Sequence, residues 1–458
     1  MKVAVIGTGY VGLTSGVGLA SLGHHVTCVD VSQERLRVIR EGRAPFHEPG
    51  LPELLTQVLG DRRLQVTDGV RRAVADCEVV FITVGTPDGP DGIDLSFVVR
   101  AASDIGAALR GTTEYRVVVV KSTVVPGTTD GPVRRAIEEA SGMAAGAFGL
   151  CMNPEFLREG AAVGDFLHPD RIVVGAWDAR SATVLAKLYE SVDCPKVFTS
   201  LRNAEMVKYA SNALLATLVS FSNEIASLCE STPDTDVEVV LRGVHLDRRL
   251  APIVDGKRIR PGIADFVWAG AGFGGSCLPK DVNALRAYAR GRAIEPHILD
   301  AVVAVNSARP GRLCAMLEQA VGSLRGARVA LFGLAFKPGT DDVRDSPALA
   351  AARVLAAGGA SITAFDPLIR QAPAGSDWGD LMTVCDTPAE ALTGADAALI
   401  TTAWSEFAGL DWNALCALMH RRIVVDGRNI LRGVTWPPDT RYLGIGGVHE
   451  HGRSEGHA

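Results

Sequence analysis

Residues 2–30, KVAVIGTGYVGLTSGVGLASLGHHVTCVD, constrain the fold of this chain more than any other stretch. An apolar run, Lys2–Ile6, meets the turn Gly7-x-Gly9-x-x-Gly12. A small-residue helical pattern follows, and a second β-rich run, His25–Val29, ends on Asp30. Strand, glycine turn, helix and strand in that order describe a βαβ unit with parallel strands. The glycines permit a tight turn, a close approach by a pyrophosphate and close helix packing, while the helix N-terminus favours negative charge. Asp30, at the end of the second strand, can accept hydrogen bonds from an adenosine ribose and would repel a 2′-phosphate, which favours NAD over NADP. Arg35 is open to two uses, pairing with a phosphate or with Asp30.

The alternation continues. Val79–Val84, Val117–Lys121 and Arg171–Val174 read as further strands, and a largely helical stretch follows to about residue 310. RVALFGLAF (Arg328–Phe336) then opens a second set, continued by SITAFDP, AALITTAW and RIVVDGRN. The expected fold is α/β, with two Rossmann-like, doubly wound parallel-sheet domains joined by a central helical domain containing a long helix. The expected boundaries are 1–200 for the dinucleotide lobe, 201–310 for the helical middle, 311–445 for the second lobe and 446–458 for a disordered tail. TVGTP (Thr83–Pro87) and KSTVVPGT (Lys121–Thr128) end apolar runs with hydroxyls and glycine, where open α/β sheets bind ligands; each is equally readable as turn chemistry.

At 458 residues the chain exceeds one ordinary core. A net charge of −6 offers no footprint for nucleic acid or an anionic membrane. Nine scattered cysteines, with no zinc-ligand spacing, suit free thiols in a reducing cytoplasm and suggest no metal. Met206–Asn223 is long and apolar with Lys208 its one charge, but its Ser, Asn and Thr side chains suggest a buried core helix rather than a membrane span.

Lys208 and Asn212 share one face of that helix. Burying an ammonium without a partner costs several kcal/mol. Lys208 is therefore either a functional buried cation or a lysine that reaches solvent or pairs with Glu205 or Glu224. The loop GFGGSCLPKD, residues 272–281, sets Cys277 among glycines that would let backbone approach a ligand. A thiol beside a cation can act as a nucleophile, with Lys280 and Lys208 the candidate cations and Asp281 placed to orient a water or a lysine. Cys28, Cys77, Cys194, Cys229, Cys385 and Cys416 are expected to be inert core residues. In a hydride-transfer enzyme, such a thiol can capture an aldehyde as a thiohemiacetal. A second hydride loss gives a thioester, which water hydrolyses to an acid.

GTGYVG, NPEFLREG (Asn153–Gly160), HPDRIVVG (His168–Gly175), KYASN (Lys208–Asn212), FGGSCLPKD and FKPGTDDVRDSP (Phe336–Pro347) together resemble the UDP-glucose/GDP-mannose dehydrogenase family, in its order and over nearly the whole chain. The resemblance implies NAD-dependent, four-electron oxidation of the C6 alcohol of a nucleotide hexose, with UDP-glucose favoured by HPDRIVVG and the long helix. GDP-mannose, another UDP-hexose such as UDP-N-acetylmannosamine, or a catalytically silent nucleotide-sugar binding protein are the alternatives.

By this resemblance Cys277 is the nucleophile and Lys208 steadies the developing oxyanion, with Asn212 beside it. Thr123, Glu155 and Asp281 hold and activate water. Gly7, Gly9, Gly12, Asp30, Arg35, Thr86, Thr123, Glu159, Lys280 and Arg344 match positions near NAD. Glu155, Phe156, Leu157, Arg158 and Glu159, with Lys208, Asn212, Phe266, Gly270, Gly274, Lys337 and Arg428, match positions that face the nucleotide sugar. Arg249 matches an arginine that reaches a neighbouring subunit's substrate, which implies a homodimer or higher homo-oligomer. The segment APIVDGKRIRPGIADFVWAGAG, longer than usual, makes the matches at Phe266–Gly270 the place where the chain departs from the pattern.

Overall fold

The computed structural model describes residues 1–447 apart from 90, 91, 145 and 374. The chain forms two compact units, residues 1–211 with 287–293, and residues 212–286 with 294–447. Eight strands build the sheet of the first unit: β1 (Lys2–Ile6), β2 (His25–Val29), β3 (Leu64–Thr67), β4 (Val79–Ile82), β5 (Val117–Val120), β6 (Gly149–Met152), β7 (Ile172–Ala176) and β8 (Lys196–Thr199). Their order is β8-β7-β6-β5-β4-β1-β2-β3. The order reverses between β1 and β4, which is where doubly wound sheets open a crevice at the strands' carboxyl ends.

Alternate residues of these strands enter two cores. Val3, Val5, Val79, Phe81, Val117 and Val119 face one layer, and Ala4, Ile6, Val80, Ile82, Val118 and Val120 face the other. A strand buried on both faces reads as an unbroken apolar run, so VVFI and VVVV were legible as strands. One pairing departs from the all-parallel expectation: β7 runs antiparallel to β6, with Cys151 opposite Ala176. The connection from β6 to β7 holds only the short helix Ala162–Leu167 and loops, and an antiparallel strand toward the sheet's edge is a common variation on this architecture.

The second unit carries β9 (Arg328–Phe332), β10 (Ser361–Phe365), β11 (Thr383–Val384), β12 (Ala397–Ile400), β13 (Ile423–Asp426) and β14 (Arg441–Gly444). They pair in the order β11-β10-β9-β12-β13-β14, all parallel. A single apolar cluster, including Phe332, Phe365, Phe407 and Trp412, packs this sheet against its helices.

Among the helices, α1 (Tyr10–Ser21) follows the glycine turn and α2 (Leu201–Glu230) is the long one. α3 (Leu278–Arg290) begins after Cys277, and α4 is His297–Val321. No helix of the described residues is long and apolar enough to cross a membrane. The expectation that α2 is a buried core helix needs correction, because Leu214, Phe221 and Leu228 are about half exposed. Their seven-residue spacing puts them on one stripe, with the polar side chains that break the apolar run lying elsewhere.

Two further expectations fail. Cys194 and Cys385 are only half-buried, at the margin of their cores, whereas Cys28, Cys77, Cys229 and Cys416 are buried as expected. The expected disordered tail, 446–458, starts too early. Gly446 accepts a hydrogen bond from Val237 N at 2.6 Å and Gly447 bridges to Asp236, while 448–458 lie outside the described residues.

Candidate active site

In the first unit the glycine turn is shaped by its own backbone. Gly7 has φ +102°, which L side chains rarely adopt, and a Cβ on Gly12 would stand 1.9 Å from Gly7 O. A Cβ on Gly9 would meet nothing within 4 Å, so that glycine is not required by the protein's packing. It leaves bare backbone at the N-terminus of α1, as close approach of a pyrophosphate requires.

Asp30 closes this site. Its Oδ2 accepts from Thr8 N at 2.8 Å and Thr8 Oγ1 at 2.7 Å, and its Oδ1 accepts from Ser32 N at 2.9 Å. Burial pushes the carboxyl up, but these donors and Arg35, 3.8 Å away, outweigh it and hold the group below the usual carboxylate range. Arg35 thus takes the second of its two readings. Oδ1 keeps acceptor capacity for a ribose hydroxyl. A negative carboxylate, a bare turn and a helix N-terminus together fit NAD.

The neighbouring strand ends proved to be turn chemistry in part. Thr83 Oγ1 donates within reach of Ile6 O and Gly7 O, both at 2.9 Å, and Ser122 Oγ donates to Val84 O at 2.7 Å. Thr86 is buried, and Thr123 is partly exposed just beyond β5.

Lys208 is buried, and its Nζ stands 2.7 Å from Glu155 Oε1. It therefore neither reaches solvent nor pairs with Glu205 or Glu224. Glu205 instead accepts from Gly127 N at 2.6 Å and from Thr129 N at 2.8 Å, tying the loop after β5 to α2. Glu155 Oε2 accepts from Leu157 N at 2.6 Å. Burial pushes the Glu155 carboxyl up, yet Lys208, Leu157 and Lys121 together hold it below its ordinary value. The Phe156 ring lies under the Arg171 guanidinium at 3.9 Å, with Lys208 Nζ at 5.7 Å. Arg158 is exposed and paired with Asp165, and Glu159 is partly buried beside it.

In the second unit Cys277 is half-buried and immediately precedes α3, where Asp281 N donates to its carbonyl at 2.9 Å. Ser276 Oγ lies 3.6 Å from the thiol sulfur. Asp281 is buried and receives Asn212 Nδ2 and Lys280 Nζ, each at 2.6 Å. Asp281 thus orients a lysine, and Lys280 is committed to it.

The glycines of this loop have a packing role that the sequence reading assigned to ligand approach. A Cβ on Gly274 would come 2.2 Å from Asp345 O, one on Gly275 would meet the Phe336 ring at 2.7 Å, and Gly275 N donates to Arg344 O at 2.8 Å. The loop is laid flat on the segment Phe336–Pro347. Arg344 is bonded to Asp342 by its side chain, and Lys337 Nζ sits 5.7 Å from the Phe336 ring.

Gly270 is held by Asn223 Oδ1, which accepts its N–H at 2.8 Å, and by Arg309 Nε, which donates to its carbonyl at 3.1 Å. A Cβ there would meet Arg428 at 2.8 Å. Burial lowers Arg428 to about 10, with Arg309 adding to the effect, so it remains charged at neutral pH. The long segment before the loop forms a hairpin, Ile253–Val254 with Lys257–Arg258, and a short 3-10 helix that ends on the partly buried Phe266. Arg249 is exposed, with its guanidinium on Asp247.

Five residues that hold these parts were missed. Glu48 is buried and accepts from Gly160 N and Ala162 N, each at 2.7 Å, and from the Tyr10 hydroxyl. Glu205 holds the loop after β5, Asn306 clasps both backbone groups of Phe273, and Asn223 and Arg309 grip Gly270. All act across dozens of residues, so spacing carries no sign of them.

A 3-2-1-4-5-6 strand order in each unit, with a glycine turn and a ribose-competent aspartate in the first, defines a dinucleotide-dependent α/β protein. Residues 1–193 match the NAD binding domain of the UDP-glucose/GDP-mannose dehydrogenase family, 202–308 its central domain and 330–433 its UDP binding domain. The chain belongs to the UDP-glucose/GDP-mannose dehydrogenase family. It is 42% identical to a UDP-glucose 6-dehydrogenase of Rhizobium meliloti, over 94% of this chain and 96% of that one. A UDP-glucose dehydrogenase structure from Pyrobaculum islandicum matches with a TM-score of 0.87 at 40% identity, over 97% of this chain and 98% of that one. A UDP-D-ManNAc dehydrogenase structure from Pyrococcus horikoshii matches with a TM-score of 0.83 at 29% identity, over 97% and 99%.

Proposed function

We propose that the chain oxidises the C6 alcohol of UDP-glucose to the carboxylate of UDP-glucuronate, with two NAD and one water consumed per sugar. The observation that carries this reading is the placement on α2 of Lys208, buried against Glu155, and one turn later of Asn212, bonded to the aspartate in the first turn after Cys277. An ammonium, a thiol and an ordered carboxylate are the groups this chemistry demands. The 42% identity to a UDP-glucose enzyme supports the choice of sugar.

Gly7, Gly9, Gly12, Asp30, Arg35, Thr86, Glu159, Lys280 and Arg344 would hold NAD, which supplies the acceptor for both hydrides when bound. Lys208 stabilises the alkoxide as the C6 hydroxyl loses its proton, and Asn212 keeps company with it. The Cys277 sulfur bonds to the resulting aldehyde carbon while the carbonyl oxygen takes up a proton, giving a thiohemiacetal. A helix N-terminus beside that sulfur favours negative charge on it. Loss of the remaining hydride and the hydroxyl proton gives a thioester. Thr123, Glu155 and Asp281 hold the water that breaks the C–S bond, returning the thiol and releasing the acid. Phe156, Leu157, Arg158, Phe266, Gly270, Gly274, Lys337 and Arg428 are assigned to the nucleotide sugar.

In this reading residues 1–200 serve NAD, 201–310 the thiol and self-association, and 311–445 the UDP-sugar. We assign the protein to a cytoplasmic homodimer. The nine free cysteines support a reducing compartment, and the stripe Leu214, Phe221, Leu228 supports self-association, with Arg249 reaching the neighbour. NADH release from UDP-glucose, UDP-N-acetylmannosamine and GDP-mannose tests the reading. Two NADH per UDP-glucose is expected; turnover confined to another sugar would reassign the substrate, and none with any of the three would favour a silent binding protein.

A further inference from the structure

Lys121 follows β5 directly and is buried. Its Nζ donates to Asn153 Oδ1 at 3.0 Å, the same oxygen that accepts the Tyr189 hydroxyl at 2.8 Å. Asn153 is fixed from its other side, where Nδ2 donates to Val173 O at 2.8 Å. Asn153 is the first residue of NPEFLREG, so this ammonium anchors the head of the loop that carries Glu155. The charged groups that act on Lys121 are Glu155, which favours its protonated form, and Lys208, which opposes it.

The cluster thus holds two buried ammonium groups and one carboxylate. A buried ammonium whose hydrogen-bond acceptor is an amide is costly, and burial pushes Lys121 down to about 8. At neutral pH it still carries its proton, a second buried positive charge beside the Glu155–Lys208 pair. A buried cation is suited to a site where negative charge develops during reaction.

We propose that Lys121 is a positioning residue of the oxidation: it fixes Asn153 at the head of the Glu155 loop, and its charge adds to that of Lys208 in favouring the ionised Glu155. This inference rests on the roles proposed above for Glu155 and Lys208. It makes Lys121 electrostatically active without contact with substrate. Removing its charge makes Glu155 easier to protonate, so the acid limb of the rate profile moves to higher pH. Removing only its hydrogen bond would not have that effect.

Lys121→Gln separates the two contributions, since an amide can still donate to Asn153 Oδ1 but carries no charge. Asn153→Asp gives Lys121 a carboxylate partner that cancels its charge in place, and it also gives up the donor to Val173 O, so it tests the charge together with the loop anchor. The measurement is kcat and KM for both substrates from pH 4 to 9.5 with the full-length protein. In each variant the acid limb is expected to move to higher pH, and kcat at pH 7, where Glu155 is still ionised, to fall about tenfold through loss of a buried cation near the developing negative charge, with the KM for NAD within about twofold. Lys121→Arg, which keeps the charge, should recover part of the loss.

Should Lys121→Gln not fold, the acid-limb shift in Asn153→Asp carries the charge part of the test. A wild-type profile and kcat in whichever variants fold would overturn the proposal. Glu155→Gln and Lys208→Ala run alongside. If these are inactive while Lys121→Gln matches the wild type, only the inference on Lys121 falls; if they are fully active, the assigned roles of Glu155 and Lys208 fall and the inference with them.

Discussion

Lys208 Nζ lies 2.7 Å from Glu155 Oε1, although 53 residues separate the two in the chain and both side chains are buried. Taking away Lys208 leaves the buried Glu155 carboxylate with only Lys121 and the Leu157 N–H to compensate it, and breaking such a buried pair typically costs about 3 kcal/mol. Lys208→Met is therefore expected to lower stability by that order and to abolish most of the oxidation. Urea unfolding and NADH release check the two effects separately.

Cys277 is half-buried, so its replacement should leave the fold intact. Cys277→Ser is expected to keep its melting temperature but to release little or no UDP-glucuronate, because an alkoxide-level oxygen is a poor substitute for a thiolate in a step that needs a good leaving group. Product analysis by chromatography reads this directly. Normal acid formation would remove the covalent step from the mechanism.

The glycines of the turn should separate by role. Gly12→Ala brings a methyl group within 1.9 Å of Gly7 O, a clash against backbone that should cost about 3 kcal/mol or more. Gly9 has φ −67° and open space around it, so Gly9→Ala should change stability by no more than about 0.5 kcal/mol. Its NAD affinity should nonetheless fall, because the methyl group occupies the line of the pyrophosphate's approach. Thermal melts with and without NAD distinguish the two variants.

Asp30 pairs with Arg35 at 3.8 Å and would repel a 2′-phosphate. Asp30→Ser removes the repulsion and leaves the guanidinium to bind the phosphate. The ratio of kcat/KM for NADP to that for NAD is expected to rise at least about tenfold. An unchanged ratio would mean that Asp30 serves only Thr8 and Ser32.

Lys121 should leave a mark on the pH dependence of stability. In the unfolded chain a lysine keeps its proton to a pH near its ordinary value of 10.5, whereas in the folded protein Lys121 loses it at about 8. Between those values the unfolded state binds more protons, so raising the pH favours folding. The contribution is fully present above 10.5 and is lost as pH falls through 8, amounting to about 3 kcal/mol over the range. Lys121→Met should flatten the rise between pH 8 and 10 in urea midpoints.

The first lobe was legible because its signals are local. β1 and β2 begin and end where their apolar runs do, and the glycine turn declares itself within six residues. Gly149–Met152 and Lys196–Thr199 were not foreseen, since GLCM and KVFT are too short and mixed to stand out from loop sequence. Their pairing supplies the signal, and pairing is non-local.

The order of chemical motifs along the chain was enough to fix the family, the cofactor class and the presence of a thiol, a lysine and an aspartate suited to the reaction. What those side chains touch was decided only by the tertiary structure. By sequence Lys208 had Glu205 and Glu224 as candidate partners, and burial beside the loop after β6 gave it Glu155 instead. Lys280 was a candidate neighbour of the thiol, and the first turn of α3 gave it to Asp281. Gly274 was read as room for a ligand, and the close approach of Asp345 shows that the protein's own backbone needs that room as well. Residue types and their local order are written in the chain; a charge inside a protein takes whichever partner the packing brings within hydrogen-bond distance, and that depends on contacts between residues far apart in sequence.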